Sequence, residues 1–386
     1  MASGYHDSVM DIGLSEFQRK TRDTAREFLA RRCPASLLRE LEASETGHSP
    51  ELWEEIAGLG WTALAVPEGY GGLGGSLVDV AVIVEEMGYA AYASPFLPTA
   101  VWGALPLAAA GAAGLKERIL PGVADGTALL TAAIAEKAGT WDAGGVRAQI
   151  ERRGDGYVLN GEKLFVDYAG VAGAIVVFAR APGSSGDGGI SAVLVDTDAP
   201  GVSLTDLKST AGRQYAVRLE NVEAGAGRLL GEEGGAGALL AGTVRTGAAT
   251  HCAFSVGVAQ RALDMTVEHA KERVLFGQPL GMFQAVQHMC SDLAMLTEGA
   301  RLIAYEALWR LDEGLPAVKE VAMAKAFANE ATRQTLWMAH QIHGGVGIML
   351  EYDLHFYFRL AKELELKLGS TRDLLETVAD ELRLVP

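Results

Sequence analysis

The period of the hydrophobic pattern changes twice along this chain, and that change limits the available folds more than any other feature. From Leu14 to about Gly122 apolar residues recur at helical spacing, as in Phe17, Ala25, Phe28 and Leu29 and again in Val80, Ile83, Val84 and Met87. The segment Pro67 to Gly75 interrupts this stretch with glycines and must be a loop. From Leu129 to about Leu230 short β-rich runs separated by Gly and Asp take over: Val146 to Ile150, Tyr157 to Leu159, Ala174 to Ala179, Ser191 to Val195 and Val217 to Leu219. They predict an antiparallel sheet or barrel. Helical spacing then returns over Thr243 to Arg273, Met282 to Glu313, Ala317 to Ile342 and Arg359 to Leu384, which predicts a four-helix bundle. The chain is therefore expected to be an α+β protein with a helical domain over 1–125, a β domain over 126–232 and a helical bundle over 233–386.

With 386 residues there is ample apolar material for cores of this kind. The net charge of −16 argues against a surface built for nucleic-acid phosphates or anionic lipid. Cys33, Cys252 and Cys290 are too few and too scattered for a disulfide framework or a zinc site, and they read as thiols of a reducing cytoplasm. Met1 to Arg22 mixes charges with scattered apolar residues and shows no targeting pattern. The uncharged run in Met87 to Leu115 is long enough to span a membrane. Its prolines at 95, 98 and 106 and its Ala and Gly content predict a buried loop and helix instead.

Several segments, taken in order, resemble the acyl-CoA dehydrogenase family over essentially the whole chain. They are Pro67 to Leu73 followed by Glu85-Glu86-Met87-Gly88, then Leu159-Asn160-Gly161-Glu162-Lys163, then Arg273-Val274-Leu275-Phe276-Gly277-Gln278-Pro279-Leu280 with Phe283-Gln284-Ala285-Val286-Gln287, and last Gln341-Ile342-His343-Gly344-Gly345-Val346-Gly347. The resemblance implies a flavoenzyme fold in which FAD lies between the β domain of one subunit and the bundle of its neighbour. The implied reaction is oxidation of an acyl-CoA thioester at Cα and Cβ. A carboxylate takes the α proton, the flavin accepts hydride, and an electron-transfer flavoprotein or similar acceptor takes the electrons.

Carried over residue by residue, the resemblance assigns Arg273, Phe276, Phe283 and Gln284 to the adenine and pyrophosphate side of a neighbouring subunit's FAD. An Arg fork suits phosphate oxygens. Gln341, Gly344, Gly345 and Gly347 match the second dinucleotide contact, where glycines permit close backbone approach. On the flavin-ring side the chain departs from its relatives. Ala135 and Trp141 stand where hydroxyl donors are usual, and Phe165 and Asp167 stand at the ring-stacking and N5 positions. A carboxylate such as that of Asp167 placed beside N5 opposes the negative charge of a reduced flavin.

The catalytic base departs furthest. Leu368 occupies the position of the usual Glu, and the alternative position on the first bundle helix is Gly247. Glu365, three residues before Leu368 and sharing its helical face, and Asp167 are the remaining candidates for an unorthodox base. Intact trans contacts with empty base positions point to a subunit that completes the FAD site of a catalytic paralogue in an α2β2 tetramer acting on acyl-CoA. Two alternatives are a homo-oligomeric flavoenzyme with a non-standard base or altered chemistry, and a flavin-free acyl-CoA-binding or scaffold protein. His251, Cys252, His340 and His343 read as structural, and Trp53, Trp61, Trp309 and Trp337 as core.

Overall fold

The protein is described by a computed structural model covering residues 13–384. The reading of the first residues as free of a targeting pattern rests largely on 1–12, which lie outside the described ones.

The first region is helical: α1 (Glu16–Arg32), α2 (Ala35–Ala43), α3 (Pro50–Gly58), α4 (Leu77–Tyr89), α5 (Leu105–Ala110) and α6 (Ala113–Ala124). Capping boxes start α1 and α4, with the Ser15 and Ser76 hydroxyls accepting from the amides of Gln18 and Asp79. The uncharged run forms α4's last turn, a buried π-helical segment over Pro98–Ala104, and α5, which continues directly from that segment. Among the described residues no helix is long and apolar enough to cross a membrane.

Eight strands follow: β1 (Leu130–Ala133), β2 (Gln149–Arg153), β3 (Gly156–Asp167), β4 (Ala174–Arg180), β5 (Ile190–Asp196), β6 (Val202–Leu207), β7 (Gln214–Gly225) and β8 (Leu229–Leu230). They form one sheet in the order β6-β7-β3-β2-β4-β5-β8, with β1 beside β4. The sheet is mixed rather than purely antiparallel, because β1 enters from the helical region and runs parallel to β4, Leu130 opposite Ala174. Bulges on β3 between Leu159 and Gly161 and between Lys163 and Val166 bend it; Phe165, at φ +58°, lies in the second.

The last region holds α7 (Gly237–Glu272), a two-residue hairpin of β9 (Val274–Leu275) and β10 (Gln278–Pro279), α8 (Gln284–Asp312), α9 (Val318–His343), α10 (Leu354–Leu366) and α11 (Thr371–Glu381). Glycine fixes how this region meets the first. A Cβ on Gly257 would lie 1.9 Å from the Glu85 carbonyl oxygen, and one on Gly88 would lie 2.1 Å from that of Phe254, so α4 and α7 cross backbone against backbone. The neighbouring acids are buried in the same seam. Glu85 accepts from Tyr305 Oη at 2.8 Å and Arg301 Nε at 3.1 Å, and Glu86 pairs with Arg26.

Two expectations are corrected here. The fourth bundle helix is two helices, because the chain breaks at Lys367 to Ser370, where Leu368 takes φ +63° and Gly369 φ +110°. Ser370 then caps α11 by accepting from the Asp373 amide at 3.2 Å. Leu368 therefore lies outside α10 and shares no helical face with Glu365. Trp337 is not core but 63% exposed on α9; Trp53 and Trp61 are buried and Trp309 is half-buried. Cys33 and Cys252 are buried and Cys290 is half-buried.

Candidate functional site

A cavity of about 990 Å³ opens where the β domain meets the bundle. Its walls come from the turn at Gly139 to Ala143, the first turns of α7 and α9, and the break between α10 and α11. Both sequence-derived base positions lie at or near this region, and neither carries an acid. Leu368 lines the cavity and is 3% exposed. Gly247 is buried on α7 beneath the indole of Trp102, whose ring carbons would lie 2.8 Å from any Cβ placed there. Trp102 stands in tilted contact with Trp141 at 5.9 Å and edge-on to His251 at 5.9 Å, and its Nε1 has no hydrogen-bond partner among the described residues.

Asp167 does not present a free carboxylate. Lys367, next in sequence to Leu368, donates to Asp167 Oδ1 at 2.7 Å and to Glu363 Oε1 at 2.8 Å. Glu363 also accepts from the Ala211 amide at 3.0 Å and from Gln214 Nε2 at 3.3 Å. One ammonium thus sits between two carboxylates and ties the end of β3 to the end of α10. Burial works against the Lys367 charge, but Asp167 and Glu363 outweigh it and hold the ammonium above its usual value. Burial pushes the Glu363 carboxyl up, against the downward pull of Lys367. Burial, together with the Lys367 charge, holds His251 down at about 3, so that ring is neutral and its Nδ1 donates to the Gly247 carbonyl at 2.8 Å.

Glu365 lines the cavity but is ion-paired with Lys362 at 2.6 Å. Lys325, fully buried, donates to the Leu364 carbonyl at 2.8 Å and to Asn329 Oδ1, which braces the turn before Lys367. Glu136, beside Ala135 in the segment matched to the flavin side, is buried beneath Lys163 at 2.7 Å and accepts from the amides of Arg147 and Ala148, both at 2.9 Å. Neither Lys325 nor Lys367 was singled out from sequence. Their partners are distant in the chain, and only the carboxylate spacing within α10 gave a local signal.

The residues matched to a neighbour's dinucleotide lie at the other end of the bundle. Phe276, at φ +52°, and Gly277, at φ +81°, form the tip of the β9-β10 hairpin, and Phe276 is 94% exposed with its ring edge-on to Phe283 at 6.3 Å. Arg273 caps α7, is exposed, and pairs with no carboxylate among the described residues. Gln284 and Gln341 are exposed. The His269 ring, four residues before Arg273, stacks on that of His343, two after Gln341, at 4.4 Å, which brings both segments to one end of the bundle. His343 also bonds Tyr352 Oη through Nε2 at 2.9 Å. A Cβ on Gly344 or Gly345 would meet nothing, so these glycines face open space, whereas Gly347 is buried with His343 Cβ only 2.9 Å away and needs its glycine for packing within the chain.

Comparison with known proteins accords with this layout. Family models for the acyl-CoA dehydrogenase N-terminal, middle and C-terminal domains match residues 15–127, 131–222 and 235–382.

The chain belongs to the acyl-CoA dehydrogenase family.

Among its relatives, a probable acyl-CoA dehydrogenase of Bacillus subtilis, YngJ, is 34% identical over 94% of this chain and 97% of that one. The ChsE4-ChsE5 complex from Mycobacterium tuberculosis superposes with a TM-score of 0.89 at 30% identity, covering 98% of this chain and 100% of that one. A variant of the Tcur3481-Tcur3483 steroid ACAD gives 0.86 at 32% identity, over 96% and 98%. This acyl-CoA dehydrogenase-family chain fits FAD unevenly. The hairpin and Gly344 surface offers a free guanidinium, open glycines and a bare aromatic ring to an adenine dinucleotide. At the positions matched to the flavin-ring side the fit is poorer, because Asp167 is bound to Lys367 and Ala135 and Trp141 bring no hydroxyl, although Thr140 beside Trp141 lines the cavity.

Proposed function

We propose that this chain is a supporting subunit: it completes the FAD site of a catalytic acyl-CoA dehydrogenase paralogue in an α2β2 tetramer and performs no dehydrogenation in its own cavity. The observation that carries this reading is the residue placement at the two base positions. Leu368 presents hydrocarbon to the cavity, and Gly247 is roofed by Trp102, so no carboxyl oxygen is available from either to accept an α proton. Two of the compared structures are themselves complexes of two named chains, which supports a paralogue as the partner.

In the mixed tetramer Arg273, Gln341 and the Gly344-Gly345 backbone would hold the dinucleotide end of the partner's FAD, and the flavin would supply hydride acceptance in the partner's site. This chain's own residues bind and orient; they move no proton.

The test is purification of the chain alone and with its paralogue co-expressed. A colourless chain that yields a yellow, active complex only with the paralogue supports the reading. A yellow homo-oligomer with dehydrogenase activity would replace it with the homo-oligomeric flavoenzyme, and a colourless chain that joins no paralogue would replace it with the acyl-CoA-binding or scaffold role.

A further inference from the structure

The ends of α7 and α9 meet through two imidazoles, and the proposed function makes no use of that contact. His269 stacks on His343 with ring centroids 4.4 Å apart and planes 26° from parallel. His269 stands four residues before Arg273 and the hairpin, and His343 is followed at once by Gly344 and Gly345. The bonds on His343 fix its tautomer. Nδ1 lies 2.7 Å from the Ala339 carbonyl, which can only accept, so Nδ1 carries the proton; Nε2, 2.9 Å from Tyr352 Oη, accepts from that hydroxyl. A ring bonded in this way is neutral.

The surroundings do not welcome a second proton. Burial holds His343 down at about 4, against the pull of its bond to Ala339, and charge on His269 or His340 adds to the effect. Burial and then Arg273 hold His269 down, against Glu272. The acids near the pair are Glu268 and Glu272 on α7 and Asp353 beyond Tyr352, and the cations are Arg261 and Arg273. No carboxylate among the described residues bonds either ring; Glu268 lies 3.8 Å from Arg261, and Asp353 is held by Arg39 at 2.6 Å. A proton on one ring therefore puts an unpaired charge into a half-buried stack, and protons on both put like charges face to face. Parting the rings and letting water reach them relieves both.

We propose that the His269-His343 stack is a proton-operated latch: neutral, it holds the Arg273 hairpin against the Gly344-Gly345 segment, and on taking a proton from solvent at His343 Nε2 it opens and lets the two segments part. His343 lies at about 4 in the closed latch and returns to its ordinary value of about 6.5 once open. The open population should therefore rise about 30-fold between pH 8 and pH 5. The consequence for a cofactor rests on the supporting-subunit reading: a partner's dinucleotide gripped by both segments would be let go in acid.

The test is hydrogen exchange on the full chain at pH 8 and pH 5, corrected for the intrinsic rate at each pH. The probes are the Arg273 amide, which donates to the His269 carbonyl at 2.8 Å, and the Gly344 amide, which donates to the His340 carbonyl. Both should lose protection about 30-fold at pH 5 while staying less protected than the amides around Cys252 in the middle of α7, which makes the opening local. In His343→Phe the ring stays and the titration goes, so the loss should shrink to less than about three-fold. His269→Phe alters the half-buried ring and should give a loss between the two, which keeps the test decisive if His343→Phe fails to fold. Protection that does not change with pH in wild type, or that falls equally in the variants, overturns the latch. FAD release from the mixed complex at the same two pH values separates the latch from the reading it rests on. Release that quickens in acid in wild type but not in His343→Phe supports the latch within the complex. Amides that open while FAD is retained equally at both pH values support the latch and count against a dinucleotide on this surface.

Discussion

Lys367 Nζ lies 2.7 Å from Asp167 Oδ1, a contact between residues 200 positions apart in the chain. It joins the β domain to the bundle, and Glu363 completes the cluster from the other side. Removing the ammonium would leave two buried carboxylates facing each other. Lys367→Met should lower stability by about 3–5 kcal/mol, as expected when one partner of a buried ion cluster is lost. One carboxyl of the variant would then be raised in the folded state, so its stability should be greatest in acid and fall as pH rises through that raised value. Denaturant titrations at pH 5 and pH 8 check both statements, and adding Asp167→Asn and Glu363→Gln should return most of the loss. Equal midpoints for wild type and Lys367→Met would mean that the cluster carries no stability.

Leu368→Glu restores a carboxylate at the family position. Under the proposed supporting role, in which the partner performs the chemistry, the steady-state rate of the mixed complex should change by less than about two-fold. A large gain in rate would show that this chain's own cavity holds flavin and substrate.

Gly247→Ala tests the roof over the second base position. A helical Gly→Ala change ordinarily stabilises by about 1 kcal/mol, but here the new methyl would meet the Trp102 ring 2.8 Å away. Overpacking of about 1–3 kcal/mol should win, giving a net loss. Trp102→Phe in the same chain should recover part of it, as read from unfolding midpoints.

Arg273→Ala should leave the chain's unfolding free energy within about 0.5 kcal/mol of wild type, because Arg273 is exposed and pairs with no carboxylate among the described residues. It should also speed FAD loss from the mixed complex by about ten-fold or more, through the missing phosphate contact. Flavin release followed by fluorescence separates the two effects.

Much of this architecture is legible in the sequence, because period and turn chemistry are local. The long bundle helices declare themselves by spacing, and the glycines of the Pro67 loop and the β domain mark its turns. The break at Leu368 is less visible, since apolar residues continue in helical register through Leu364, Leu368 and Leu375, although Gly369-Ser370 with Asp373 is a stop followed by a cap. Trp337 misled for the related reason that periodicity shows which residues share a face without showing what covers it. At the site, the loss of an acid at Leu368 is readable by position alone. The binding of Asp167 by Lys367 is not, because each looks like an ordinary surface charge until β3 and α10 are brought together.

His343 offers a pH test of the surface assigned to a neighbour's cofactor. Burial, against its bond to the Ala339 carbonyl and with the charges of His269 and His340 adding to the effect, brings its value down to about 4 from 6.5. The unfolded chain therefore binds a proton that the folded chain refuses, and stability falls as pH drops from about 6.5 toward 4, by up to about 3 kcal/mol. His343→Phe keeps the ring and removes the titration, so its stability curve should be flatter over that interval. Parallel curves would assign the acid sensitivity to other groups.

The ammonium held between Asp167 and Glu363 has a consequence for descent. Under the proposed role an acid introduced at 368 alone would gain no chemistry while the cluster stands, and a change at Lys367 alone would lower stability before anything is gained. In that role, regaining catalysis at 368 would take at least two coupled changes, one at Leu368 and one in the cluster, so the ion cluster would act as a ratchet through folding stability.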